Sequence, residues 1–346
     1  MAWHGIEAHD DVIEQFARAL SRGRLGASFL FVGPAGVGKR LAAMKLAQGL
    51  LCERSEAASV EPCEECPACQ QVLAGTHPDV HLVQKPADKR DIPVALLIGE
   101  KERRGQEGLC HDIAMKPHSG LRRVAIIDDA DTLNQEGANA LLKTLEEPPP
   151  HSLLILLGTS PAKQLPTIRS RCQMVRFSPL PDEVVARLLV EQDVVDDPGM
   201  ASRLASYSGG SMQAAYELAD PDLWRFREEL LRQLSNAVID SPRFSREVSK
   251  FVDAAGKPAP PRRARLRQVI GFAAEFYRQL LRYGLGDERA IEAELRHLLD
   301  AAAAGGFSVD RTSARLQRCL EAAEQIDRNA NQNTLIEAWL DSLAAA

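Results

Sequence analysis

The feature that most constrains this chain is a glycine-rich segment, residues 33–39, which reads Gly-Pro-Ala-Gly-Val-Gly-Lys and fits the pattern G-x-x-x-x-G-K. An apolar run at residues 28–32 predicts a buried strand before it, and helical periodicity predicts a helix at residues 39–51 after it. Glycines let the backbone wrap closely round a phosphate, which then faces amide N–H groups at the helix N-terminus. The motif predicts a phosphate-binding loop that consists of Gly33, Gly36, Gly38 and Lys39.

The residue after the lysine departs from this pattern. A hydrolytic phosphate loop has Ser or Thr there, and the hydroxyl ligates Mg²⁺. This chain has Arg40, a cation without a lone pair to offer a metal. Metal-assisted hydrolysis is therefore not expected. The residues leave open whether the loop binds ATP or another anion, or stays empty.

Two carboxylates, Asp128 and Asp129, follow a second apolar run at residues 124–127. In P-loop ATPases an Asp at a strand end supports the metal ion, and a Glu commonly follows it to orient the attacking water. Asp129 is one methylene shorter than Glu, and a misplacement of about 1 Å can lower a rate by on the order of 10²-fold. Asp129 therefore has either a weakened catalytic role or a structural role in the turn, and both remain open.

Four of the seven cysteines form a cluster with short spacing. The pattern is Cys52-x10-Cys63-x2-Cys66-x2-Cys69, and two-residue spacings let neighbouring thiolates point at one ion. Four thiolates make a closed tetrahedral site with no position for a substrate, so we expect a structural zinc ion. An iron–sulfur cluster is the alternative.

The chain of 346 residues is long enough for two or three domains. Apolar runs at residues 28–32, 124–127, 153–157 and 174–177 alternate with helical patterns, which indicates an α/β domain with a parallel sheet. Strand signals stop after Pro179 and Pro181, and the rest is helical. We therefore predict three parts: residues 1–178 with the cysteine insert at 52–69, a small helical domain at 179–240, and an all-α domain at 241–346.

The charge balance argues against a protein that wraps DNA by itself. The formal net charge is −6 and the isoelectric point about 5.8, whereas proteins that neutralise many phosphates are usually basic. Residues 241–280 contain nine Lys/Arg and three Asp/Glu, an excess of six positive charges. The excess has two interpretations: a solvent-exposed helix face, or a surface that contacts an acidic partner or nucleic acid.

Location is predicted from what the sequence lacks. It contains no apolar stretch of about 18 residues, so no membrane contact is expected. The first residues lack the pattern of a signal peptide, which predicts a cytoplasmic protein.

Several motifs together carry a family resemblance. The motifs lie at residues 29–39, at the four cysteines, at residues 138–149 and at residues 165–172. Together they resemble the bacterial clamp-loader subunits of DNA polymerase III, which are AAA+ proteins. The resemblance implies an AAA+ P-loop domain, a helical lid at 179–240 and a C-terminal oligomerisation collar at 241–346. It also implies gamma/tau and delta subunits as partners, with the sliding clamp and primed DNA contacted through the complex.

The resemblance also assigns roles to single residues. Arg171 matches the arginine of the Ser-Arg-Cys motif, which acts in trans as a finger on a neighbouring subunit's ATP. Thr159 falls at the sensor-1 position of the ATP site, and Gln213 stands where a hydrolysing subunit carries the sensor-2 arginine.

Three residues differ from those of a hydrolysing subunit: Arg40, Asp129 and Gln213. All three positions serve ATP hydrolysis, so the differences point to a rigid branch of the family that need not hydrolyse ATP. The alternatives are an active ATPase of the gamma/tau type and a non-replicative AAA+ adaptor.

Overall fold

A computed structural model describes residues 3, 5–55, 60–86, 88–118, 121–236, 238–287, 291–306, 308–328 and 330–346. The chain divides into two compact units, Met1–Glu217 and Leu218–Ala346. The predicted three-part division at 178/179 and 240/241 remains a prediction.

The first unit is organised round a parallel sheet of five described strands in the order β2-β3-β4-β1-β5. Strand β1 lies between β4 and β5, and its Phe31 lies opposite Leu157 on one side and Val175 on the other. Strands β1 and β4 are buried throughout, which explains why their sequences are apolar at nearly every position. The strands are β1 (Ser28–Val32), β2 (Val80–Val83), β3 (Arg123–Ile127), β4 (Ser152–Gly158) and β5 (Gln173–Arg176).

The predicted α/β class with a parallel sheet is confirmed, and so are the four predicted strands. Strand β2 escaped the sequence analysis. It has only four residues, it lies at the sheet edge, and its Val-His-Leu-Val sequence is half-exposed rather than continuously apolar. An edge strand with one neighbour needs less apolar surface than a central strand, so its sequence signal is weak.

Helices cover both faces of this sheet. On one face, Phe16 of α1 and Leu46 of α2 pack with Phe31 and Ile155. On the other face, Leu97 of α4 and Leu141 of α6 belong to a second core with β3 and β4. The helices are α1 (Asp10–Ser21), α2 (Lys39–Leu51), α3 (Pro67–Leu73), α4 (Val94–Ile98), α5 (Leu109–Ala114), α6 (Gln135–Glu146), α7 (Pro166–Arg169), α8 (Asp182–Glu191), α9 (Pro198–Ser208) and α10 (Met212–Leu218).

The described residues of the second unit form helices. The long helix α13 packs against α11, α14 and α15, and Phe272, Phe276 and Tyr277 on α13 are buried in this core. No helix in the described ranges is long and apolar enough to cross a membrane. The helices are α11 (Pro221–Ser235), α12 (Ser241–Asp253), α13 (Ala259–Gly284), α14 (Arg296–Ala304), α15 (Val309–Asp327) and α16 (Gln332–Ala345).

Gly49 on α2 allows the cysteine insert to approach this helix. A Cβ atom at this position would lie 2.1 Å from the carbonyl oxygen of Val60, which also accepts a hydrogen bond from Trp3 Nε1 at 3.1 Å. Backbone atoms cannot yield as a flexible side chain can, so the insert must move if the glycine is replaced.

We therefore expect Gly49→Ala to destabilise the protein by about 2 kcal/mol or more in urea denaturation, in spite of alanine's better helix propensity. Gly271→Ala is the matched control, because a Cβ there meets nothing within 4 Å. It should stabilise α13 by about 0.5–1 kcal/mol. Equal effects of the two substitutions would show that the insert does not press on α2.

Candidate functional site

The phosphate loop lies between β1 and α2, and each of its glycines meets a backbone requirement. Gly36 and Gly38 have left-handed φ angles of 72° and 100°, which side chains with a Cβ disfavour. A Cβ at Gly33 would lie 2.3 Å from the carbonyl oxygen of Phe177. The predicted loop residues are therefore brought together in a tight turn at the N-terminus of a helix, which is a geometry suited to anions.

The ammonium group of Lys39 is held by the loop itself. Its Nζ donates hydrogen bonds to the carbonyl oxygens of Gly33 at 2.7 Å and Pro34 at 2.5 Å. The residue is 9% exposed, and this burial lowers the pKa of Lys39, while the carboxylate of Asp128 acts in the opposite direction. A ligand phosphate would have to compete with the two carbonyls for this group.

Arg40 links the loop helix to the acidic strand end. Its Nη1 donates to Gln84 Oε1 at 3.0 Å and lies 3.4 Å from Asp128 Oδ2. In a hydrolytic P-loop site, Mg²⁺ connects the hydroxyl after the lysine with the strand-end carboxylate. Here a guanidinium makes the corresponding connection between the two elements.

Asp129 takes part in the turn after β3. Its backbone is left-handed with φ 55°, and its N–H donates to Asp128 Oδ1 at 2.9 Å. Burial raises the pKa of Asp129, and the neighbouring charge of Asp128 adds to this effect.

Thr159, at the end of β4, is tied to Asp131. Its backbone N–H donates to Asp131 Oδ2 at 2.7 Å, and its hydroxyl donates to the same oxygen. Gln164 donates to the other carboxylate oxygen. The threonine hydroxyl is therefore engaged within the protein. The roles of Asp131 and Gln164 were not predicted from the sequence. Asp131 stands in the acidic cluster after β3, whereas no sequence motif marks Gln164.

These residues surround a cavity of about 540 Å³, a size within the range of small-molecule sites. Its far wall comes from α10, where the N–H of Met212 donates to Gly36 O at 3.0 Å. Gln213 packs on Gly36 and donates to Glu217 at 3.3 Å. The lining comprises Ala35, Gly36, Gly38, Lys39, Arg40, Leu41, Asp128, Asp129, Asp131, Leu157, Gly158, Thr159, Met212, Gln213 and Tyr216.

Arg171 lies outside that lining, in the segment after α7. Its Nε donates to Glu146 Oε1 at 2.7 Å, and its Nη1 donates to Thr167 O at 3.0 Å. The side chain is 31% exposed. An ion pair of this kind at a surface contributes at most about 1 kcal/mol, so the guanidinium can exchange its partner at low cost.

The four predicted cysteines converge in the insert beside α2. Their Sγ atoms all lie within 4.8 Å of one another, with 3.9 Å between Cys63 and Cys69 and 4.0 Å between Cys52 and Cys66. Tetrahedral zinc with Zn–S bonds of about 2.3 Å requires sulfur atoms about 3.8 Å apart. The cluster could therefore hold a metal ion.

Backbone amides support thiolates in this cluster. The N–H groups of Cys63, Cys66 and Cys69 each point at the Sγ of the preceding cluster cysteine at 3.3–3.4 Å. The N–H of Cys66 is the main reason that the pKa of Cys63 is lowered to about 6. A deprotonated thiol is the form that binds a metal.

The sheet order, the loop after β1 and the helices that follow define a P-loop protein of the AAA+ type. The family described as DNA polymerase III, delta subunit, matches residues 8–181, half of the chain. The chain belongs to this family.

Individual relatives agree with this family. The chain is 36% identical over 192 residues to DNA polymerase III subunit delta' of Pseudomonas aeruginosa, a match that covers 55% of each protein. It is 35% identical over 208 residues to the delta' subunit of Bacillus subtilis, covering 60% of this chain and 58% of the relative. The match to subunit tau of Salmonella typhimurium is 30% identical over 264 residues, 73% of this chain and 38% of the relative. The matches thus span little more than half the length of the two delta' relatives.

Proposed function

We propose that this chain acts as the delta-prime subunit of a DNA polymerase III clamp loader that does not itself hydrolyse ATP. It assembles with gamma/tau and delta subunits in the cytoplasm, and the complex loads the sliding clamp on primed DNA. Membership of the family supports the assignment to the clamp loader. The observation that carries the lack of hydrolysis is that Arg40 stands at the position of the metal-binding hydroxyl, with its guanidinium 3.4 Å from Asp128.

Three features of the cavity act against hydrolysis by this chain. Arg40 contributes a positive charge where Mg²⁺ needs a hydroxyl ligand, so a metal ion would meet repulsion there. The Thr159 hydroxyl is occupied by Asp131. Gln213 offers an amide where a hydrolysing subunit has a guanidinium to neutralise phosphate charge. ATP binding by Gly33, Gly36, Gly38 and Lys39 is compatible with all three features, but hydrolysis is not.

We expect the isolated chain to release no more phosphate from Mg-ATP and DNA than its Lys39→Ala variant does. The physical reason is that neither the metal nor the attacking water is held for reaction. The measurement is a phosphate-release assay at saturating ATP. Phosphate release that is lost in Lys39→Ala would favour the second candidate, an active ATPase of the gamma/tau type. The similarity to a tau subunit is the reason for considering this candidate.

Arg171 is the residue proposed to act in trans. It does not line the cavity of its own chain, and its ion pair with Glu146 is partly exposed and therefore exchangeable. A guanidinium is planar, permanently charged and rich in donors, which suits a γ-phosphate whose charge grows in the transition state. In this role the neighbouring subunit binds the ATP that reacts, and this chain supplies and positions the arginine.

The cysteine cluster is proposed to hold one structural zinc ion. Four thiolates leave no open coordination position, so the ion would stabilise the insert and take no part in chemistry. The insert is joined to α2 by the Lys45–Glu64 ion pair and by a hydrogen bond from Gln48 to Cys69 O at 3.0 Å. The metal would therefore also support the helix that follows the phosphate loop.

The adaptor alternative differs in its partners. A non-replicative AAA+ adaptor would keep the phosphate loop but would not bind clamp-loader subunits. Co-purification of the tagged chain with gamma/tau and delta subunits supports the proposed function, whereas no association with either subunit would favour the adaptor.

A further inference from the structure

A small polar cavity in the second unit has no role in the proposed function. It has a volume of about 30 Å³, enough for a single water molecule or small ion and far too small for a nucleotide. The ends of α11 and α14, Leu280 of α13 and the first two turns of α15 surround it. Its lining comprises Leu234, Ser235, Asn236, Leu280, Ala302, Gly305, Gly306, Ser308, Arg311, Thr312 and Arg315.

Two arginines of α15, Arg311 and Arg315, line this cavity. Arg315 is 8% exposed, and its Nε and Nη2 are both buried without a hydrogen-bond partner. The Nε of Arg311, one turn earlier, is buried and unpartnered as well. Within the described ranges, neither guanidinium forms an ion pair with a carboxylate. The ring centre of Tyr277 is 5.9 Å from the guanidinium carbon of Arg315.

Arginine side chains in proteins keep their positive charge, so the two residues cannot avoid this situation by becoming neutral. A buried charge without a counter-charge is strongly destabilising. Two other arginines of this unit are paired with a carboxylate, which neutralises their charge. Arg227, 4% exposed, lies 2.8 Å from the carboxylate of Glu292, and Arg265 lies 2.6 Å from that of Asp220. Among the residues that the structure describes, no carboxylate pairs with Arg311 or Arg315.

The local dipoles do not remove the excess charge. The ends of α11 and α14 each contribute about −0.5 of an elementary charge, and the start of α15 contributes about +0.5. Two guanidinium charges therefore leave the cavity clearly positive. A water molecule could accept hydrogen bonds there, but it would not neutralise the charge.

We propose that this cavity is a binding site for one small monovalent inorganic anion, with chloride as the representative ligand, held by Arg311 and Arg315. The guanidinium groups of Arg311 and Arg315 supply the N–H donors. The bound anion joins α15 to the ends of α11 and α14, and so stabilises the second unit.

The test is the thermal stability of the full chain in sodium chloride and in sodium gluconate at equal ionic strength. Gluconate is too large for the cavity, so it controls for general screening. We expect chloride to raise the Tm by about 5 °C relative to gluconate, and Arg315→Gln and Arg311→Gln to abolish this difference. Arg318→Gln is the matched control, because Arg318 lies on the same helix but is 54% exposed and paired with Glu321; it should keep the full chloride effect.

Chloride NMR line broadening by the wild-type protein provides a second measurement that does not depend on how well the variants fold. Broadening that saturates with chloride and is lost on competition by bromide supports the site. Equal Tm values in the two salts, or a chloride effect that persists in Arg315→Gln, would overturn the proposal and leave water as the occupant of the cavity.

Discussion

Arg171→Ala is expected to abolish nearly all turnover at the one ATP site that receives this arginine in the reconstituted clamp loader. An arginine finger contributes about 10³–10⁵-fold to the rate of phosphoryl transfer, so total clamp- and DNA-stimulated ATPase should fall by that site's whole share. The measurement is steady-state phosphate release from the complex with gamma/tau and delta, with and without clamp and primed DNA.

Two further variants separate this role from folding and from simple charge. Arg169→Ala removes an exposed arginine of the same segment and should leave turnover unchanged. Arg171→Lys keeps the charge but loses the planar fork, so it should restore little activity. The isolated Arg171→Ala chain should unfold with almost the wild-type free energy, since its ion pair with Glu146 is partly exposed. Full turnover by the complex with Arg171→Ala would rule out the role in trans.

The second large effect is expected at the cysteine cluster. Cys63→Ser should reduce bound zinc from one ion per chain to almost none, because serine is a poor zinc ligand and three thiolates hold the ion far less tightly. Loss of the ion should release the insert from α2 and lower the free energy of unfolding by on the order of 3 kcal/mol. Cys63 is only half-buried, so a packing defect contributes little to this loss.

Metal analysis of the purified chain and urea denaturation measure the two effects. Cys110→Ser is the control, because Cys110 is also half-buried but lies outside the cluster. It should retain the ion and nearly all of the stability. A wild-type protein purified with iron and sulfide in place of zinc would support the iron–sulfur alternative, and zinc retained by Cys63→Ser would contradict the four-thiolate site.

Three features could be predicted from the sequence: the central strands, the phosphate loop and the cysteine cluster. Each depends on residues close together in the chain: the loop needs three glycines and a lysine within seven positions, and the cluster has two-residue spacings. Strand β2 was missed because four half-exposed residues at a sheet edge carry little periodic signal.

The partners of the site residues could not be predicted in the same way. The contact between Arg40 and Asp128 spans 88 positions in the sequence, and the one between Thr159 and Asp131 spans 28. Only the sheet order, which brings the ends of β1, β3 and β4 to one edge, makes these side chains neighbours. The sequence showed that Arg40 lacks a metal-binding hydroxyl, but not that its guanidinium lies against the strand-end carboxylate.

By itself, then, the sequence determined a P-loop α/β domain with a four-thiolate cluster, because backbone conformation and ligand spacing are local properties. The tertiary structure alone decided which group neutralises which charge. It placed Glu146 beside Arg171 and Asp128 near Arg40, and it left Arg311 and Arg315 without a carboxylate partner in the part of the chain that the structure describes. Electrostatic pairing depends on distances in space between residues far apart in the chain, and only packing sets those distances.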